Sequence, residues 1–183
     1  MNDDKLFDVA ILGAGIAGAS LAWRLAPQMS VALIECESQP GVHSTGRSAA
    51  MFIESYGPPA VRALTRASRA FYEDPPPGFT TAPLLAPRGA LYLASPGQQA
   101  LLDETRAAML PTCPALQTLA CDDVLARVPC LRPAAVQAAL LDDDAQDIDV
   151  HALHQGFLRG MRQHAGVLRT SAGLQRAARS GAN

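Results

Sequence analysis

Short, well-punctuated runs of apolar residues set the plan of the chain. Phe7–Leu12 (FDVAIL) is a brief apolar run, as in a strand buried on both faces. Three glycines, Gly13, Gly15 and Gly18, follow it. Ile16–Ala26 then repeats apolar residues at helical spacing, and Pro27 marks the end. Val31–Glu35 (VALIE) is a second buried run. Strand, glycine-rich turn, helix and strand in ~30 residues form a βαβ unit. Such a unit demands parallel strands and a right-handed crossover.

Further along, Pro59–Glu73 (PAVRALTRASRAFYE) predicts an amphipathic helix opened by prolines, and DPPPG at 74–78 a rigid break. Gly89–Ala94 reads as a strand, Gly97–Leu110 and Asp122–Val128 as helices, and Val136–Leu141 as a strand. Asp149 is placed to cap a helix from Val150 to about His164, which Gly166 would end. Val167–Ser171 suggests one more strand, and the tail RAARSGAN a frayed end.

Composition narrows the class. The 183 residues are 49% hydrophobic with a net charge of −2, which suits a packed core and not a disordered chain. Lys and Arg are scattered, so no nucleic-acid partner is expected. Cys36, Cys113, Cys121 and Cys130 form no C-x-x-C pair, and scattered thiols fit a reducing cytosol. Asp3, Asp4 and Asp8 stand where a signal peptide carries positive charge, and no apolar stretch is long enough to cross a bilayer. A cytoplasmic protein with no transmembrane segment is the expectation.

The chemistry concentrates at Gly13-Ala14-Gly15-Ile16-Ala17-Gly18, a G-x-G-x-x-G between strand and helix. Gly13 allows the tight turn, Gly15 lets a pyrophosphate approach the backbone, and Gly18 lets helix and strand pack closely. The helix N-terminus offers free N–H groups to the phosphates. Glu35 closes the second strand 20 residues after Gly15, where a carboxylate can accept both ribose hydroxyls. Cys36 beside it would line the adenine edge. A dinucleotide is thus expected, and the motif alone leaves NAD and FAD open. The following stretch His43–Ala50, HSTGRSAA, favours FAD. Ser44, Thr45 and Ser48 would donate to phosphate or flavin edges, and Arg47 would supply positive charge. Ala49 and Ala50 are small enough to pass under a flat ring. The competing reading is a solvated Ser/Thr loop.

VAILGAGIAGASLAWRLA and VALIECESQPGVHSTGRSAA together resemble the N-terminal half of the FAD-dependent D-amino acid oxidase/dehydrogenase (DAO) superfamily. AVRALTRASRAFYE, PPPGF, PLLAPR and DIDVHALHQGFLRGMR are similar to the D-arginine dehydrogenase type of bacterial enzyme. The resemblance implies an α/β fold. A Rossmann-like FAD-binding domain with a parallel sheet would comprise 1–50 and 149–183, incomplete and discontinuous. Residues 51–148 would form part of an α+β substrate domain. Members of this superfamily are roughly twice this length, so the C-terminal half of the family fold would be absent, including a later arginine that holds the substrate carboxylate.

The implied activity is oxidation of the C–N bond of a D-amino acid. Hydride passes to the flavin, and the imino acid hydrolyses to a 2-oxo acid. The electron acceptor, quinone or oxygen, stays open. Tyr56 faces substrate by similarity; the alternative is a half-buried tyrosine before Gly57-Pro58. Met51 stands where some relatives carry a His near the flavin. Ala90 replaces an acidic residue of relatives that act on cationic D-amino acids, which points to neutral or apolar side chains. Met29 replaces a turn glycine, implying strain or a rerouted turn. Two alternatives stay open: a truncated chain without turnover, whose first strand would be an apolar edge, or an oxidase of glycine, sarcosine or a 2-hydroxy acid. His151 and His154, at i, i+3, lack a third partner for a metal. Asp142-Asp143-Asp144 reads as a solvated turn.

Overall fold

The structure, a computed structural model, describes residues 6–179. Asp3 and Asp4, and the end of the tail at 180–183, lie outside the described residues. Along the chain run β1 (Val9–Leu12), α1 (Ile16–Leu25), β2 (Val31–Ile34), β3 (Met51–Phe52), α2 (Pro59–Glu73), β4 (Leu85–Pro87) and β5 (Ala90–Ala94). There follow α3 (Gln99–Met109), β6 (Gln117–Ala120), α4 (Cys121–Arg127), β7 (Ala138–Asp142), β8 (Gln146–Ile148), α5 (Val150–Gln163) and β9 (Val167–Arg169). The described residues form two compact units. One holds 6–49, 75–84 and 149–179; the other holds 50–74 and 85–148. The segment 75–84, placed by the sequence in the second domain, groups with the first unit.

In the first unit a parallel sheet runs β1-β2-β9. Val9 to Leu12 sit opposite Val31 to Ile34, and Ala32 to Ile34 sit opposite Val167 to Arg169. β2 is the central strand, and Val31, Ala32 and Leu33 are all buried. β1 departs from the expectation of a strand buried on both faces. Ile11 is buried, while Leu12 is 55% exposed. Among the described residues β1 pairs only with β2, so one of its edges is open.

The helices of this unit meet through small residues. α1 buries Ala19 and Ala22, and α5 buries Leu153, Phe157, Leu158 and Met161. A Cβ at Gly156 would lie 2.5 Å from the Phe79 ring, and one at Gly160 would collide with Trp23. Glycines at i and i+4 thus open a trough on α5. Trp23, Phe79 and Phe157 pack there, with ring centroids 5.1 to 5.6 Å apart. Asp149 caps α5 as expected, Oδ1 accepting from the Ala152 N–H at 2.8 Å. The helix ends differently from the expectation. The left-handed residue is Ala165, at φ 60°, and not Gly166. Gly166 is required for packing instead, because a side chain there would strike Met161. Met29 carries no positive φ, so neither strain nor left-handed backbone is found at that turn. Asp8 closes it by accepting from Ser30 N–H and O–H at 2.8 and 2.7 Å.

The second unit holds two antiparallel sheets, β5-β7-β6 and β3-β8-β4. Every residue of β7 is buried. Ala138 and Leu140 pack with Leu102 and Met109 of α3, and Ala139 and Leu141 pack with Val124 of α4. Each fully buried Leu contributes ~1.5–3 kcal/mol. α2 has the predicted bounds but buries no residue completely. Its polar side makes the bonds. Arg62 donates to the Gly57 and Ala108 carbonyls, Arg66 to that of Thr112, and Arg69 to Glu54. Leu64 on its apolar side is 69% exposed. Strands β3, β4, β6 and β8 have no counterpart in the sequence reading. They run two to four residues and lack an unbroken apolar run such as VAIL or VALI to mark them.

Candidate functional site: a dinucleotide cradle

The turn between β1 and α1 is built from backbone geometry. Gly13 takes φ +93°, outside the range of ordinary L residues. A Cβ on Gly18 would collide with the Gly13 carbonyl, so α1 can start this close to the turn only with glycine there. A Cβ on Gly15 would lie 3.1 Å from the Thr45 hydroxyl. The glycines therefore leave the α1 N-terminus uncovered by side chains of its own, as an approaching pyrophosphate requires.

Glu35 ties this turn to β2. Its Oε2 accepts from the Ala14 N–H at 2.8 Å, and Oε1 accepts from the Glu37 N–H at 3.0 Å. The residue is only 7% exposed. The backbone N–H of Glu37, then that of Ala14, hold its carboxyl below the usual 4.5, so it is an anion at neutral pH. The Cys36 thiol donates weakly to Oε1 at 3.3 Å. That hydrogen bond, with the neighbouring charge, pushes the Cys36 thiol up, away from thiolate chemistry. A carboxylate has about four lone-pair sites. Three donors already use Glu35, so the carboxylate is more than a bare ribose acceptor. It also holds the turn in shape.

HSTGRSAA is folded back on itself. The Gly46 N–H donates to the Gly41 carbonyl at 2.7 Å, and the Arg47 N–H to that of His43 at 3.0 Å. His43 and Glu37 pair at 2.8 Å in solvent. Thr45 is the inward residue, and its Oγ1 accepts from the Ile16 N–H at 2.9 Å, capping α1 from a distant part of the chain. Ser44, Arg47, Ser48 and Ala49 are exposed. Ala50 and Met51 belong to the second unit, as does Tyr56. Tyr56 is 64% exposed and not half-buried.

Two groups play parts the sequence reading did not give them. His154, which the sequence offers only as a metal ligand, is buried on α5 with Nε2 2.8 Å from the Ala14 carbonyl. A carbonyl only accepts, so Nε2 carries the proton. Gly41 lies against the same ring, where a Cβ would sit 3.0 Å from Cε1. His154 therefore fastens α5 to the glycine turn. Its signal in the sequence was the DIDVHALHQGF stretch, which carried no role for the residue. A cleft of ≈490 Å³ runs beside it, lined by Thr45, Gly46, Ser48, His151 and Gln155 among others. Asp142 is the second group. It is 2% exposed, not part of a solvated turn, because it ends the fully buried β7.

The glycine turn, the anionic Glu35 and the small residues beside them fit the adenosine-diphosphate portion of FAD. Solved structures share this fold. The L-α-glycerophosphate oxidase of Mycoplasma pneumoniae, solved with FAD bound, matches at a TM-score of 0.72 and 17% identity, over 91% of this chain and 45% of that one. The Bacillus cereus glycine oxidase matches at 0.73 and 19%, over 91% and 48%. The Proteus myxofaciens L-amino acid deaminase matches at 0.72 and 18%, over 96% and 40%. The chain thus spans less than half the length of each. No helix among the described residues is long and apolar enough to cross a membrane. The family model for FAD dependent oxidoreductases matches residues 8–183, nearly the whole sequence, and the chain belongs to that family.

Proposed function

We propose that this chain supplies the FAD-binding part of an oxidoreductase that oxidises the C–N bond of amino acids, with D-amino acids of neutral or apolar side chain as substrates. The observation that carries the cofactor half is the anionic Glu35 locked between the Ala14 and Glu37 N–H groups, beside a helix start that bears no side chain of its own and is capped by the Thr45 hydroxyl. In this reading the first unit binds FAD. Gly13, Ala14, Gly15, Ile16, Ala17 and Gly18 carry the pyrophosphate, Glu35 takes a ribose hydroxyl, and Cys36 lines the adenine. Ser44, Thr45, Arg47, Ser48 and Ala49 lead towards the flavin. When bound, FAD supplies the hydride acceptor. The protein's own residues orient the substrate and exclude water, and the imino acid formed is hydrolysed to a 2-oxo acid and ammonia.

The second unit would receive the substrate, with Tyr56 in contact with it. A cavity of ≈340 Å³ supports an apolar side chain, because Met51, Ile53, Tyr56, Leu64 and Tyr72 line it and none of its lining residues is charged. Ala90 supports the same preference, offering no carboxylate to a cationic substrate. Free Cys36, Cys113, Cys121 and Cys130 favour a reducing, cytoplasmic setting.

Purified chain should quench FAD fluorescence on titration and co-purify yellow. Anaerobic bleaching should then follow D-leucine or D-methionine, and not D-arginine, sarcosine, glycine or a 2-hydroxy acid. A chain that leaves FAD free in solution sinks the proposal. A second reading, FAD binding without turnover, is favoured by the open β1 edge and the exposed Leu12. It predicts quenching without bleaching by any amino acid.

A further inference from the structure

The turn that carries Tyr56 is fixed more firmly than its irregular backbone requires. Ser55 is buried although it lies outside any strand or helix. A buried hydroxyl must be bonded or cost free energy. Ser55 Oγ donates its one proton to Asp142 Oδ2. The Tyr92 hydroxyl, 3.0 Å from the same Oγ, must then be the donor of that pair. Asp142 is held in turn by the Asp144 N–H, 3.2 Å from Oδ1. Tyr92 and Asp142 come to one face because β5 and β7 pair antiparallel, with Ala90 opposite Asp142 and Tyr92 opposite Leu140.

The residue after Tyr56 is anchored as well. Arg62 Nε donates to the Gly57 carbonyl at 2.6 Å, and its Nη1 donates to the Ala108 carbonyl. Tyr56 stands between these two anchored neighbours, and its own ring points outward, mostly exposed. Beside the anchors lies a cavity of ≈290 Å³ lined by Ser55, Arg62, Tyr92 and Glu104 among others, so a released turn has room to move.

We propose that Ser55 and Asp142, with Arg62 on the other side, form a brace that sets where Tyr56 presents its ring, which makes Asp142 a positioning residue for the substrate. The substrate part of this rests on the reading that Tyr56 contacts substrate; the brace itself does not. A leucine at the buried end of β7 would extend the core formed by Leu140; Asp142 instead receives the Ser55 hydroxyl, the Asp144 N–H and the Cys113 thiol.

The chain has three tyrosines, Tyr56, Tyr72 and Tyr92, so uniform 3-fluorotyrosine labelling gives three ¹⁹F resonances. Each is assigned by its Tyr→Phe variant. In the ligand-free chain, Ser55→Ala and Asp142→Asn should narrow the Tyr56 resonance and move it towards that of free fluorotyrosine. Tyr72, outside the brace, should stay in place, and Ser55→Thr, which keeps the hydroxyl, should return Tyr56 to the parent position. Arg62→Lys should move Tyr56 in the same direction. A Tyr56 resonance unchanged in Ser55→Ala while that of Tyr92 moves would overturn the brace. Ser55→Ala removes a single oxygen and decides the matter if Asp142→Asn fails to fold. Adding D-leucine to the FAD-loaded parent is a separate arm. A silent Tyr56 there refutes substrate contact and leaves the brace standing.

Discussion

Replacing Glu35 by glutamine isolates the group on which the cradle depends. The carboxylate offers an acceptor to each of two backbone N–H groups, Ala14 on Oε2 and Glu37 on Oε1. An amide of the same shape offers one acceptor and one NH₂. Whichever way it turns, one N–H faces another donor in a buried site. Hydrogen bonds to a charged group contribute ~1.5–3 kcal/mol, and an unsatisfied buried donor costs ~1–3 kcal/mol. The expected loss is therefore ~2–3 kcal/mol at neutral pH. For a chain of this size that lowers Tm by roughly 4–12 °C. Acid should erase the difference. The folded pKa of Glu35 lies below its ordinary 4.5, so its stabilisation is complete above 4.5 and is lost as pH falls through the folded value. The assay is thermal or urea unfolding of ligand-free parent and Glu35→Gln chains across that range. A gap under ~0.5 kcal/mol at neutral pH, or one that persists undiminished in acid, refutes the reasoning.

Gly18→Ala should destabilise the first unit by at least ~1–3 kcal/mol, because its methyl must displace the Gly13 carbonyl or lift α1; a parent-like urea midpoint would contradict this. Ala165→Gly should raise stability by roughly 0.5–1 kcal/mol by relieving a left-handed alanine at φ 60°, visible as a higher Tm. Asp149→Ala should cost ~1 kcal/mol through loss of the α5 cap, measured by the same unfolding curves. Burial, reinforced by Asp142, pushes the Cys113 thiol up to about 12. Mass spectrometry after brief iodoacetamide treatment of folded chain at mildly alkaline pH should find exposed Cys130 modified and Cys113 intact.

Local chemistry made much of the first unit legible in the sequence. β1, α1 and β2 are specified by two apolar runs around a glycine motif, in which Gly13 and Gly18 act on each other. The same holds for α2, opened by Pro58 and Pro59, and for α5, capped by Asp149. Glu35 could be found because its distance from the motif is a property of the βαβ unit. Tertiary structure decided what those groups touch. Thr45 caps α1 across 29 residues, and His154 reaches Ala14 across 140. No periodicity encodes such pairings, since they exist only once β9 has brought α5 back beside α1. Asp142 shows the limit most clearly. Among three consecutive aspartates it reads as solvated, yet it ends the buried β7 opposite Ala90 of β5, and the loop after β3 supplies Ser55 as its donor. A side chain's type follows from sequence, but whether it meets water or a partner follows from which strands the fold sets against it.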